Sequence, residues 1–113
     1  MQTTLLIVTS VVMLLIHVVG SIISFKGKSF PKKIGNFIAL YEMIFYFIVI
    51  FNVSGILLLI GYFYLLIHVV GGVYYIKGGL SKLYISKGLF YYGIYEGIEA
   101  LYIVMVLITS IIS

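Results

Sequence analysis

Cysteine is absent from this chain, which removes disulfides, thiolate metal sites and cysteine nucleophiles at once. Arginine and tryptophan are absent too, so every fixed cation is one of seven lysines, and the acids number three. Charged residues make up 9% of the sequence, where an ordinary globular chain carries about 25%. Most hydrolytic and phosphoryl-transfer sites need more polar groups than this, and no catalytic signature is present, so an enzyme is not expected. Proline occurs once, at position 31.

What is abundant is apolar surface: 64% of the 113 residues are hydrophobic. Folding that composition in water would leave large apolar patches exposed, so a bilayer, or a sheath of like subunits, is the expected solvent. The apolar residues fall into four runs, about Thr4–Phe25, Ile34–Phe51, Gly55–Ile76 and Gly88–Ile112, each long enough to cross a membrane as a helix. The opening Met-Gln-Thr-Thr lacks the basic n-region of a cleavable signal, so the first run reads as a retained span. Lys26-Gly27-Lys28-Ser29-Phe30-Pro31-Lys32-Lys33 and Lys77-Gly78-Gly79-Leu80-Ser81-Lys82 interrupt the runs, with 82–88 expected to start a helix at the interface. Asn52-Val53-Ser54 matches a glycosylation sequon, although a tight interhelical turn is the better reading of it.

The chain repeats itself. Leu-Leu-Ile-His-Val-Val-Gly occurs at 14–20 and again at 65–71, and aligning 13–27 with 64–78 gives nine identities in fifteen. After a three-residue insertion Lys33 matches Lys87, and Tyr41-Glu42 matches Tyr95-Glu96. The fold class is therefore all-α: one domain over 1–113, made of two tandem duplicated helical hairpins, 3–54 and 55–113. Two spans per unit give both copies one orientation, related by a pseudo-twofold axis along the membrane normal. Every lysine (Lys26, Lys28, Lys32, Lys33, Lys77, Lys82, Lys87) then lies on one side. The positive-inside rule makes that side cytoplasmic and leaves both termini outside.

His17 and His68 occupy matching depths near the middle of the first and third spans, and histidine at bilayer depth marks a site by default. His17 shares a helical face with Ser10, Met13, Gly20, Ser21 and Ser24, and His68 with Gly61, Tyr64, Gly71, Gly72 and Tyr75, so both should point into the bundle. Two readings follow: a b-type haem between two axial imidazoles, or interior hydrogen bonding to a tyrosine, serine or carboxylate. Glu42, Glu96 and Glu99 lie two to three turns into the second and fourth spans, where pairing with loop lysines or the histidines would satisfy them. A proton relay or cation site is the sharper alternative. No metal-ligand spacing is recognisable along the chain.

Gly93-Ile94-Tyr95-Glu96-Gly97 is a small-xxx-small motif, and Gly20, Gly71, Gly93 and Gly97 read as close-packing positions. Tyr41, Tyr74, Tyr75, Tyr84, Tyr91, Tyr92 and Tyr95 gather near the lysine side as an interfacial belt. The lysines set topology, and in a repeated array they would form a cationic wall able to hold double-stranded DNA without sequence preference.

In overall pattern (back-to-back apolar hairpins, cationic short loops, no catalytic signature) the whole chain resembles the small, very hydrophobic, all-helical capsid proteins of spindle-shaped viruses of hyperthermophilic archaea. That resemblance implies a structural protein without cofactor that inserts into a membrane, assembles with copies of itself into a virion shell and turns its lysine loops to the genome. The alternative is a small haem-b membrane subunit of a respiratory complex with His17 and His68 as ligands. A transporter is a third class, weakened by the lack of broken helices at midplane. A shell assigns no role to the two histidines or the three glutamates.

Overall fold

A computed structural model describes residues 2–79 and 86–112, without the side chains of Gln2, Ser86 and Lys87. It contains four helices: α1 (Gln2–Phe25), α2 (Lys32–Ile50), α3 (Gly55–Ile76) and α4 (Ser86–Ile112). All four are long and apolar enough to span a bilayer. The bundle measures 41 × 24 × 23 Å, against a hydrocarbon layer of about 30 Å.

The helix ends are written in the sequence. At the end of α1, Gly27 takes φ +75°, Lys28 N–H donates to Ile23 O (2.9 Å) and Gly27 N–H to Ser24 O (3.0 Å). This is a Schellman motif, which needs the left-handed residue that glycine supplies. The end of α3 repeats it fifty-one residues on: Gly78 has φ +82°, Gly79 N–H donates to Tyr74 O (2.9 Å) and Gly78 N–H to Tyr75 O (2.8 Å). Pro31 caps the start of α2, its carbonyl accepting from Gly35 N–H at 2.8 Å. The α2–α3 turn is tight, with Asn52 Nδ2 donating to Ile48 O at 2.7 Å.

Alternating directions make the bundle up-and-down. α1 packs most extensively on α4 and α2 on α3, while α1 and α2 touch much less. Exchanging the repeats turns the α1–α4 pair into the α3–α2 pair, so this packing obeys the pseudo-twofold. The repeats are thus interleaved, each helix finding its principal partner in the other copy. Ser21 Oγ donates to Gly93 O across the α1–α4 contact (2.8 Å), and Tyr102 Oη donates to Leu57 O between α4 and α3 (2.7 Å).

Relative to a protein folded for water, the molecule is inside-out. Its outer surface carries Phe37, Phe63, Leu66, Leu101, Ile56 and many more large apolar side chains. Its interior holds Ser10, His17, Ser24, Glu42, His68, Glu96, Glu99 and Ser110, all buried. An apolar shell around a polar core is the arrangement that a lipid solvent favours. Nearer the termini the core becomes aromatic and aliphatic, with Phe45, Tyr46, Val49, Tyr64, Tyr102, Ile103 and Val106.

Candidate metal centre

Each helix delivers one or two polar side chains to a single point. α1 brings His17, α2 Glu42, α3 His68, and α4 both Glu96 and Glu99. The two imidazoles are held identically, His17 Nδ1 against Met13 O at 3.0 Å and His68 Nδ1 against Tyr64 O at 2.7 Å. A backbone carbonyl accepts only from N–H, so in both rings Nδ1 carries the proton and Nε2 faces the cluster. A bond of this kind, from the ring nitrogen away from the ion to a backbone carbonyl, is one by which metal-ligating histidines are oriented.

Around His17 Nε2 three carboxylate oxygens gather from two helices: Glu96 Oε2 at 2.9 Å, Glu99 Oε2 at 3.0 Å and Glu42 Oε2 at 3.2 Å. His68 Nε2 lies 3.1 Å from Glu99 Oε2 and 3.5 Å from Glu42 Oε2. The ligand atoms of His17, Glu42, His68 and Glu99 all fall within 4.8 Å of one another. For ligands held at ~2.1 Å from one ion, neighbouring donors sit ~3.0 Å apart in octahedral and ~3.4 Å apart in tetrahedral geometry. The four imidazole–carboxylate edges of the ring run from 3.0 to 3.5 Å, close to that interval. A directed N–H bond serves one oxygen well, and His17 Nε2 makes no well-aligned hydrogen bond to any of its three neighbours.

Outer contacts fix the set. Tyr46 Oη donates to Glu99 Oε2 at 2.6 Å, a short charge-assisted bond, and the Tyr46 ring packs on His68 with centroids 4.7 Å apart. Sequence reading passed over Tyr46, though it lies one turn from Glu42 on the same face of α2.

Of the two partners expected for the glutamates, the histidines are the ones present; no glutamate–lysine ion pair occurs among the described residues. Lys26, Lys28, Lys32, Lys33 and Lys77 are exposed. Lys32 Nζ bonds Tyr75 O and lies 3.7 Å above its ring, joining the start of α2 to the end of α3. The Lys82 residue and the Lys87 side chain lie outside what is described, as do Tyr84 and most of the 82–88 segment; α4 begins at Ser86.

The four glycines expected to pack helices divide. A Cβ on Gly93 would come within 3.1 Å of Phe25, and one on Gly97 within 3.7 Å of Ser21 Oγ, so both face α1. Gly20 makes room for Glu96, whose Oε1 would lie 3.4 Å from an added Cβ. Gly71 is a correction: a Cβ there meets nothing within 4 Å, because the residue lines a cavity instead of a helix contact. The tyrosine belt divides likewise, Tyr74 and Tyr91 facing outward while Tyr41 turns its hydroxyl onto Thr9 O at 2.8 Å.

Compared with known protein families, curated proteins and solved structures, the chain matches none.

Proposed function

We propose that this is an integral membrane bundle whose core binds a divalent first-row transition metal. The carrying observation is the convergence of two Nε2 atoms, each oriented by an Nδ1–H bond to its own helix, with carboxylate oxygens at one-ion spacing. Charge is consistent with the reading: three ionised carboxylates sum to −3, and two positive charges, supplied by a dication beside neutral imidazoles or by the two imidazoles when protonated, reduce that to −1, with no lysine paired to the cluster among the described residues. Imidazole and carboxylate together suit zinc, iron, manganese or copper rather than calcium or magnesium. His17, His68, Glu42 and Glu99 are the ligands, and Glu96 is a fifth donor beside His17.

The haem alternative is less well supported. Glu99 Oε2 lies 3.0 and 3.1 Å from the two Nε2 atoms, in the place an axially ligated iron would take. Glu42, Glu96 and the Tyr46 ring fill the space that a macrocycle would need.

Metal analysis of the full chain, purified in mild detergent and dialysed against micromolar zinc, iron or manganese, tests the proposal. One tightly held ion per chain, lost in His17→Ala and Glu99→Gln, is expected, together with a flat reduced-minus-oxidised visible spectrum. A chain that takes up no ion under any of these conditions, or a spectrum with a b-type α-band, overturns it.

A shell of copies in a membrane or virion remains the second reading of the molecule's outside. It is supported by the lysines exposed at one end and the continuous apolar flank. The positive-inside rule favours the lysine loops in the cytoplasm and both termini outside. Replacing lysines in both loops should weaken retention of DNA by assembled particles without unfolding the helices; unchanged retention removes the DNA-facing role.

A further inference from the structure

Between the cluster and the α1–α2 loop lies a cavity of about 140 Å³ that the metal reading does not use. Its floor is the cluster itself, through Glu42, His68 and Glu96, and its walls include Phe30, Ile67, Tyr75 and Tyr92. Room comes from missing side chains, above all at Gly71, where a Cβ would meet no atom within 4 Å. By contrast Gly72 is filled by Met43, whose methyl would lie 2.5 Å from an added Cβ.

We propose that this cavity binds the single ring of a hydroxy-aromatic molecule, a phenol or a quinol head group. Size favours one ring: a closed apolar protein cavity of ~150 Å³ accepts benzene, and this part-open pocket offers about 140 Å³. Wall chemistry selects an aromatic body, since tyrosine and phenylalanine faces and edges pair with a flat ring. Floor chemistry demands a polar end. A purely apolar guest would leave carboxylate and imidazole atoms facing hydrocarbon, whereas a hydroxyl placed there donates to Glu42 or Glu96. A multiply charged guest is excluded by the apolar walls. The proposal rests on the cluster being a functional centre, not on which ion it holds.

The test uses the full chain in lipid nanodiscs, with p-cresol and a short-tailed benzoquinol as probes, read by calorimetry or saturation-transfer NMR. The wild type should bind both. Gly71→Leu, which puts a side chain into the unfilled space beside Gly71, should weaken binding at least tenfold, with melting temperature and metal content unchanged. Val70→Leu, on the lipid-facing side of the same turn, should alter nothing. If Gly71→Leu fails to fold, Phe30→Ala serves instead: enlarging the cavity, it should admit 2-naphthol, which the wild type rejects. Tighter binding of the tailed probe assigns the ligand to the bilayer, and equal binding assigns it to free phenols. No binding by the wild type, equal binding by Gly71→Leu, or rejection of naphthol by Phe30→Ala overturns the proposal. Metal content measured on the same samples separates the two readings. Ring binding by a chain that takes up no ion defeats the metal proposal alone. A loaded chain that ignores both probes defeats only this one.

Discussion

At the scale of single residues, the centre depends on side chains that hold other side chains. Tyr46 touches Glu99 through its hydroxyl and His68 through its ring, so Tyr46→Phe removes the first contact and keeps the second. The expected outcome is a 10- to 100-fold loss of metal affinity, as for other outer-shell partners, with a nearly unchanged melting temperature. Competition with a chelator of known affinity reads it out. Unchanged affinity would show that Glu99 is positioned without help. Glu99 itself breaks the duplication: the repeat offset that pairs Glu42 with Glu96 places Phe45 opposite Glu99. The third carboxylate is therefore present in one copy alone, and Glu99→Gln should cost more affinity than Glu96→Gln, since Glu99 alone contacts both imidazoles within 3.1 Å.

At the scale of elements, the two Schellman motifs give a matched pair of predictions. Gly27→Ala and Gly78→Ala each force an L side chain into the left-handed region, at φ +75° and +82°, with no steric clash nearby. Each should destabilise the protein by ~1–2 kcal/mol, and by similar amounts, because the local geometry is the same. Thermal unfolding in detergent measures both. Gly93→Leu addresses the α1–α4 contact instead: even a Cβ there approaches Phe25 to 3.1 Å, so a loss of ~1–3 kcal/mol from overpacking is expected. These positions were legible in advance. Glycine after a lysine at the end of an apolar run signals a helix stop, and Gly93 with Gly97 forms a visible small-residue ridge. Gly71 stands in the same seven-residue repeat as Gly20 and both line the cavity, yet a Cβ on Gly20 would meet Glu96 and Phe30 at 3.4 and 3.5 Å, whereas one on Gly71 would meet nothing within 4 Å.

For the whole molecule, interleaving has a consequence for how the halves behave. Because α1 leans on α4 and α2 on α3, each hairpin alone lacks its main packing partners. Residues 1–54 and 55–113 expressed separately should be unstable, whereas co-expression should yield a complex that co-purifies and binds metal like the intact chain. Stable, independent hairpins would contradict the packing. The inside-out distribution of polarity also predicts that detergent or lipid is required throughout, since water would meet the large apolar side chains that line every helix.

The number of helices, their ends, the duplication and the inward faces of His17 and His68 were all determined by the sequence. These are local properties: runs of apolar residues, a stop signal, a period of 3.6 along one span. That the lysines share one side is likewise an expectation reached by counting spans, before any fold. What only the tertiary structure decided is which faces meet. Glu42, Glu96 and Glu99 read as scattered acids with a choice of lysine or histidine partners, and no spacing along the chain hints at a ligand set, because the five donors come from four helices. Their convergence depends on helix rotation and depth, and so on packing between elements far apart in sequence. The cavity is likewise legible only in three dimensions, since a missing side chain makes space only where no neighbour moves in to fill it.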